Sequence, residues 1–303
     1  MRIAAVFAAL SLAAAAAAQT SAPAPFTYRT TVGEVLVQAN VLDRHGRSVN
    51  GLPESDFTVY EDGVPQKIEA FSQQDTPVSI GILVDNSGSM VSERVQVDQA
   101  ALNFVRAGNR GDETFVVLFN DEYHAVTPFT NSIPRLERGL AAIHPQSGTA
   151  LYDTLIRAIG YMDEYGRNTK KVLLLITDGE DDASTHSFAQ TLRLVRSVNA
   201  PLIYCIGLLD DSFGRAMEKE ARRELTAFST ESGGVAYFPK NLKQVNAITD
   251  RVARDIRVQY SLIYRSNQAG AGYRRIRVVV RDPHHKHLTA HTRRGYVAGQ
   301  PGS

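Results

Sequence analysis

The chain has 303 residues and is 43% hydrophobic, which is enough for one large or two small cores. Its 33 basic and 32 acidic residues nearly cancel, and this near-zero net charge argues against nucleic acid or an anionic membrane as the main partner. The single cysteine, Cys205, excludes an intrachain disulfide, so we expect packing to hold the fold together and Cys205 to be a small buried hydrophobe.

Residues 1–18 have the pattern of a secretory signal peptide. Arg2 supplies the charged start, residues 3–15 are an apolar stretch, and three alanines at 16–18 form a cleavage site. An N-terminal membrane anchor is the alternative interpretation. We therefore expect an exported protein, periplasmic or extracellular, whose mature chain is formally neutral. No later run approaches the roughly 20 apolar residues of a spanning helix, so we expect no membrane span in the mature chain.

Residues 19–76 are predicted to be a β segment that begins with a Ser/Ala/Pro linker. Apolar side chains alternate from Val35 to Val41, which is typical of a half-buried strand. A second strand is predicted at 57–60. Glu61-Asp62-Gly63 then gives a hairpin signal that leads into residues 66–71. This segment is too small to form a core alone.

Residues 77–254 are predicted to be an α/β domain, because buried strands alternate with helices. That alternation favours a Rossmann-like, doubly wound and mostly parallel sheet that is covered on both faces. The predicted strands are 78–85, 114–119, 123–128, 171–178, 202–207 and 236–238. The predicted helices are 91–107, 131–143, 150–165, 185–199, 215–231 and 242–254.

Residues 255–298 return to a period of two, and residues 299–303 are a tail. Ile256, Val258, Tyr260, Leu262 and Tyr264 are predicted to share one face of a strand, and further strands are expected at 276–280 and 288–297. The economical interpretation is one small β-sandwich, built from the N- and C-terminal segments, into which the α/β domain is inserted. Two separate β appendages are the alternative.

Polar side chains gather where three of the predicted elements meet. Asp85, Ser87 and Ser89 follow a buried strand, Thr149 precedes a helix, and Asp178 ends another buried strand. These positions lie at the carboxyl edge of the sheet, where open α/β folds place their ligands. Carboxylates and hydroxyls are hard oxygen donors that suit Mg²⁺. A polar strand-to-helix turn with a serine cap is the alternative for the first loop.

This set resembles the metal-ion-dependent adhesion site of von Willebrand factor type A domains. The matching residues are D-N-S-G-S at 85–89, S-G-T at 147–149 and T-D-G at 177–179. The resemblance covers about residues 77–254. The flanking segments, with D-R-H-G-R at 43–47 and the closing R-R-G-Y, resemble a group of exported bacterial proteins with a related domain.

The resemblance implies a function as well as a site. The hydroxyls of Ser87, Ser89 and Thr149 would bind Mg²⁺ directly (Mn²⁺ or Ca²⁺ are alternatives), and Asp85 and Asp178 would hold the ion through water or hydrogen bonds. The ion would then capture a Glu or Asp carboxylate of a protein partner, in a non-enzymatic adhesion or docking module. An accessory subunit of an exported complex and a metal-dependent hydrolase are the alternatives.

Two further groups of side chains have open roles at this stage. Glu180, Asp181 and Asp182 bind a second ion, tune the first, or solvate a loop. His284, His285, His287 and His291 bind a transition metal or belong to a solvated loop. A hydrolase is disfavoured because Ser87 lies outside a G-x-S-x-G turn and no histidine has the local context of a catalytic base.

Overall fold

A computed structural model describes residues 33–141, 148–209, 214–285 and 287–299. The predicted signal peptide, Ser147 and Lys286 lie outside these ranges. The strands are β1 (Glu34–Leu42), β2 (Phe57–Glu61), β3 (Val64–Gln66), β4 (Ile68–Ser72), β5 (Val78–Asp85), β6 (Glu113–Phe119), β7 (Tyr123–Thr130), β8 (Lys170–Thr177), β9 (Leu202–Gly207), β10 (Ala236–Tyr237), β11 (Tyr260–Arg265), β12 (Gly272–Val280), β13 (Thr289–His291) and β14 (Gly295–Ala298). The helices are α1 (Arg94–Arg106), α2 (Ile133–Leu140), α3 (Leu151–Tyr165), α4 (Phe188–Val195), α5 (Arg215–Ser232) and α6 (Lys243–Arg257).

The central sheet has the strand order β10-β9-β8-β5-β6-β7, and all neighbours are parallel except β7, which runs antiparallel to β6. Every residue of β5 is buried, as expected for a middle strand covered on both faces. One core lies between the sheet and helices α1, α2 and α6. A second core lies between the other face and helices α3, α4 and α5. The predicted α/β class and its mostly parallel sheet are confirmed.

The N- and C-terminal segments together form a β-sandwich. One sheet has the order β13-β1-β11-β4 and the other β14-β12-β2-β3, so each sheet combines strands from both ends of the chain. Alternate residues of β1 and β11, including Val37, Tyr260 and Tyr264, fill the space between the two sheets. The predicted insertion of the α/β domain into a split sandwich is confirmed by these pairings.

The sandwich packs against the amino edge of the central sheet. Arg293 is buried and donates from its guanidinium to the carbonyls of Ser197 (2.7 Å) and Val198 (2.8 Å), in the turn between α4 and β9. At the same edge Arg257, the last residue of α6, pairs with Asp75 and Asp112. The carboxyl edge, where the candidate site lies, therefore faces away from the sandwich.

Some predicted boundaries were wrong. The helix predicted at 91–107 begins at Arg94 instead, after a short 3₁₀ turn, and Val95 in its first turn is 77% exposed. Ile256 was assigned to a strand, whereas it lies in the last turn of α6 and packs in the core of the α/β domain. The strand expected at 288–297 is two short strands, β13 and β14, in different sheets of the sandwich. None of the described helices is both long and apolar enough to cross a bilayer.

Candidate metal centre

Asp85, the last residue of β5, is completely buried and is oriented by both loops beside it. One carboxylate oxygen, Oδ1, accepts a hydrogen bond from the backbone N–H of Ser87 at 2.9 Å. The other, Oδ2, accepts from the hydroxyl of Thr177 at 2.6 Å. Strands β5 and β8 are parallel neighbours and end at the same edge of the sheet, so the short side chains of Asp85 and Thr177 can reach each other.

The two serine hydroxyls connect the first loop, which follows β5, to the third loop, which follows β8. Ser87 Oγ lies 3.0 Å from Ser89 Oγ, and Ser89 Oγ donates to Asp178 Oδ2 at 2.5 Å. Ser87 is buried, whereas Ser89 is exposed to solvent. The structure thus brings together four of the five predicted site residues, Asp85, Ser87, Ser89 and Asp178, through a continuous set of short contacts.

The third loop turns sharply after Asp178 because a glycine follows it. Gly179 has φ of +85°, and a Cβ there would lie 2.8 Å from the Cβ of Ala221. Its backbone N–H donates to Thr177 Oγ1 at 2.9 Å, so the same hydroxyl that donates to Asp85 also accepts from the loop. The T-D-G sequence therefore fixes both the turn and the orientation of the Asp85 carboxylate.

Thr149, the fifth predicted residue, is buried and is attached to the third loop by Asp182. The backbone N–H of Thr149 donates to Asp182 Oδ1 at 2.7 Å, and its carbonyl accepts from the N–H groups of Asp182 and Ala183 at 3.1 Å each. Asp181 Oδ1 accepts from the N–H of Tyr152 at 3.1 Å, at the start of α3. These two acids have structural hydrogen bonds that sequence reasoning did not foresee, since their partners lie some 30 residues away.

Carboxylates lie close together in this site without a basic partner. Burial, followed by the charge of Asp178, raises the pKa of Asp85 to about 7. Burial, with Asp178 and Asp182 nearby, also raises the pKa of Glu180. No described Lys or Arg forms an ion pair with Asp85 or Asp178. An ionised carboxylate is costly in such a place unless a cation offsets its charge, so the donor set fits a hard divalent cation.

A second layer holds the first loop in place, and sequence analysis missed it. Asn86 is completely buried and accepts a hydrogen bond from Arg94 on α1. Arg94 also donates to the carbonyl of Leu140, the last residue of α2, at 2.6 Å. Arg94 thus joins the candidate metal loop to helices α1 and α2. In the sequence, the only sign of this role is that Arg94 lies one turn into the predicted helix.

A cavity of about 310 Å³ adjoins the candidate site on the side of α5. Asp178 lies on its wall, as do carboxylates from the third loop and from α5 and a few apolar side chains such as Met217. We call Glu180, Asp182, Glu218 and Glu220 the acidic rim. Deeper in the wall, Tyr152 donates from its hydroxyl to Glu224.

The remaining sequence candidates have other surroundings. Cys205 is completely buried, and burial raises the pKa of its thiol to about 12, which disfavours a nucleophilic role. His284, His285 and His287 lie near His45, and His285 Nδ1 contacts Asp282 Oδ2. Among the described residues, no group of three or more His, Cys, Asp or Glu side chains is arranged to hold a metal, so neither a transition-metal site here nor a second ion at residues 180–182 gains support.

Comparisons with known proteins agree with this architecture. Residues 80–180 match the family model described as von Willebrand factor type A domain. No curated protein sequence matches the chain. Among solved structures, a von Willebrand factor type A protein from Catenulispora acidiphila is 12% identical, with 88% of this chain and 75% of that chain covered and a TM-score of 0.50.

Two further solved structures share the fold. The pilus adhesin SpaC from Lactobacillus rhamnosus GG, in its open conformation, is 15% identical (70% of this chain, 35% of that chain, TM-score 0.52). Proximal thread matrix protein 1 from the mussel byssus is 18% identical (66% of this chain, 51% of that chain, TM-score 0.51). The match to SpaC thus spans about a third of that adhesin. At these identities the likeness concerns the fold alone. The family match and this fold together identify a von Willebrand factor type A domain, which the chain carries between the two halves of a β-sandwich.

Proposed function

We propose that this protein is an exported, non-enzymatic binding module in which a Mg²⁺ ion captures an acidic side chain of a protein partner. The observation that carries the proposal is the meeting of Asp85, Ser87, Ser89 and Asp178 at one edge of the sheet, with Thr149 attached beside them. The hydroxyls of Ser87, Ser89 and Thr149 would hold the ion, and Asp85 and Asp178 would offset its charge.

The chemistry that the ion supplies is electrostatic attraction for an anionic oxygen. Ser89 is exposed, so an ion held there can be reached by a partner from solvent. The oxygens of Asp85 and Asp178 accept hydrogen bonds from Ser87, Thr177 and Ser89, so the direct ligands of the ion would be neutral hydroxyls and the ion would stay electrophilic. A partner carboxylate then supplies the missing negative charge.

A hydrolytic function has weaker support. Both oxygens of Asp85 already accept hydrogen bonds, from Ser87 and Thr177, so this carboxylate is poorly placed to take a proton from water. An adhesion role and a docking role within a larger exported complex use the same chemistry and differ only in the partner. SpaC is a pilus adhesin. Carrying adhesion over to this chain is part of the proposal.

The proposal is tested by metal binding followed by carboxylate binding. Mn²⁺ titration followed by electron paramagnetic resonance should show one site in the purified protein, and Asp85→Ala should abolish it. Asp163→Ala, at an exposed position on α3, is the matched control and should bind as the unaltered protein does. Adding a glutamate-containing peptide should then lower the water relaxation of the bound Mn²⁺.

Two results would contradict the proposal. One is the absence of Mn²⁺ and Mg²⁺ binding by the unaltered protein. The other is turnover of a generic ester or phosphoester that Ser87→Ala removes, because such turnover would restore the hydrolase alternative.

A further inference from the structure

A groove of about 690 Å³ lies on the outer face of the sandwich, beside the tip of the β2–β3 hairpin. Four arginines line it: Arg196, Arg275, Arg277 and Arg294. We call it the arginine groove. The last three side chains are exposed and form no ion pair with any described residue. Arg196 differs, because it pairs with Glu231 at 3.0 Å.

The position of these arginines is informative because other arginines of the same C-terminal segment are used within the fold. Arg257 pairs with Asp112, Arg265 with Glu34, and Arg274 with Glu61. Three exposed arginines of the segment that form no ion pair with a described residue, Arg275, Arg277 and Arg294, therefore lie together in the groove, whereas a fourth, Arg281, lies outside it. The Cζ atom of Arg277 lies 4.6 Å from the centroid of the Tyr60 ring, a cation–π contact that leaves Arg277 without a carboxylate partner among the described residues.

The groove also has an exposed carboxylate, Asp62, besides the buried Glu231 that pairs with Arg196. Asp62 lies at the hairpin tip, is exposed, and has φ of 47°, followed by Gly63 with φ of 86°. Its Oδ1 accepts from the backbone N–H of Arg275 at 2.8 Å, and its own N–H donates to the Arg275 carbonyl at 2.9 Å. The tip is thus tied to β12, and Asp62 makes no ion pair with a described residue.

The candidate metal centre has the reverse arrangement of charge. There a bound cation would lie beside the carboxylates of the acidic rim, because Asp178 belongs both to the centre and to the adjoining cavity. Glu218 and Glu220 contact Arg222 and Arg223, which are exposed on the same helix, but Glu180 and Asp182 have no described basic partner. The groove thus has an exposed aspartate among lining arginines, and the candidate metal site adjoins a cavity lined by acids.

One molecule cannot join its own groove to its own rim. Helix α5 has Glu218 in the rim and Glu231 in the groove, so the two lie near opposite ends of one helix. At 1.5 Å per residue these positions are roughly 20 Å apart. Two complementary surfaces at opposite ends of a molecule suit a heterologous contact between copies, which continues from copy to copy as an open chain.

We propose that this protein associates head to tail with itself: the arginine groove of one copy docks on the acidic rim of the next and presents Asp62 to that copy's metal site. This inference rests on the proposed function, and it names the partner as a second copy and the captured acid as Asp62. The contact combines arginine–carboxylate pairs at its edge with one carboxylate–metal bond near its centre.

Sedimentation velocity over a range of protein concentrations, at low ionic strength with Mg²⁺, tests the inference. The unaltered protein should form a concentration-dependent series of oligomers that EDTA or high salt dissociates. Asp62→Asn should weaken association by about 30-fold or more, the lower range for removing one member of a close charge pair. Asn tolerates the left-handed turn, so the hairpin should be retained. Asp163→Asn is the matched control and should associate normally.

Mixing two variants gives the sharpest result. Asp62→Asn keeps its metal site and lacks the captured acid, whereas Asp85→Ala keeps Asp62 and lacks the metal site. At a protein concentration at which the unaltered protein is just fully associated, each variant alone should be mainly monomeric, and an equimolar mixture should form a dimer and nothing larger. Arg275→Glu combined with Arg277→Glu should also prevent association while leaving Mn²⁺ binding unchanged.

The failures of this inference and of the proposed function are distinguishable. If the unaltered protein binds Mn²⁺ but stays monomeric at every concentration, or if Asp62→Asn associates like the unaltered protein, head-to-tail association is wrong and the metal site stands. If the unaltered protein binds no divalent ion, the proposed function itself is wrong.

Discussion

Asp85 and Glu61 are both completely buried carboxylates at the ends of strands, one in each domain, yet their surroundings differ. Glu61 receives hydrogen bonds from the hydroxyls of Tyr264 (2.6 Å), Tyr296 (2.9 Å) and Ser266 (2.5 Å) and pairs with Arg274 at 3.2 Å. Its charge is offset within the chain.

Asp85 accepts two hydrogen bonds and has a second acid, Asp178, beside it. Burial is therefore the same at the two sites, and the sign of the neighbouring charge differs. A buried carboxylate paired with an arginine supports the fold, whereas one placed beside another carboxylate needs a cation from outside the chain. This contrast supports the proposed role of Asp85 more directly than its burial does.

The largest expected effect is on stability at Glu61. Glu61→Leu would leave Arg274, only 8% exposed, as a buried charge without its carboxylate, and would leave two tyrosine hydroxyls without their acceptor. We expect the free energy of unfolding to fall by about 3–5 kcal/mol, measured by urea denaturation. Adding Mg²⁺ should not restore the lost stability.

The control for this change is a pair on the surface. Arg106→Ala removes an ion pair with Glu137 in which both side chains are well exposed, and should cost about 1 kcal/mol or less. A loss at Glu61 no larger than the loss at Arg106 would contradict the interpretation of Glu61 as a completed internal network.

The sequence allowed the prediction of the metal loop but not of the Glu61 network, and the reason is the range of the interactions. Asp85, Ser87 and Ser89 lie within five residues, so their chemistry is visible in one short stretch. Glu61 contacts residues more than 200 positions away, and within its own stretch it was interpreted only as part of a hairpin signal.

The same limit explains the errors at the junction of the domains. Val252 and Ile256 are spaced by one helical turn, while Ile256 and Val258 also fit the alternation of a strand. Tertiary packing decides between the two, because Ile256 fills the core of the α/β domain. Arg293 likewise resembled an ordinary strand residue, although it binds carbonyls of a turn nearly 100 positions earlier and separates β13 from β14.

The pH dependence of stability should separate the two carboxylates. Without metal, folded Asp85 has a pKa of about 7 against an ordinary value of 3.8, so between about pH 4 and pH 7 the folded state holds a proton that the unfolded chain has lost. The contribution of Asp85 to stability should therefore fall as pH rises through this window, by up to about 1.4 kcal/mol per pH unit, and be constant above it.

Urea denaturation in EDTA at pH 5, 6, 7 and 8, with Asp85→Asn as comparison, measures this effect. The variant should be less stable than the unaltered protein or equal to it at pH 5, and should gain relative to it as pH rises to 7. Saturating Mg²⁺ should then stabilise only the unaltered protein, by about 2.7 kcal/mol at 100 times the dissociation constant. If the free energies of unfolding of the two proteins change in parallel with pH, the fold does not raise the pKa of Asp85.

The smallest effect concerns Thr177, which touches Asp85 but is not among the proposed hydroxyl ligands. Its hydroxyl donates to Asp85 Oδ2 and accepts from Gly179 N–H, so Thr177→Val keeps the shape of the side chain and releases both groups. Because groups that orient a metal's ligands typically contribute 10–100-fold to affinity, we expect Mn²⁺ binding to weaken by about that factor.

Thr191, which lies in α4, provides the matched control. It is as buried as Thr177, and its hydroxyl donates to the carbonyl of Ser187. Thr191→Val should lower stability by about 1 kcal/mol and leave Mn²⁺ affinity unchanged. If both variants bind Mn²⁺ like the unaltered protein, the hydrogen bond to Asp85 supports only the fold. The contrast between Asp85 and Glu61 would then rest on charge alone and not on a carboxylate oriented for a metal ion.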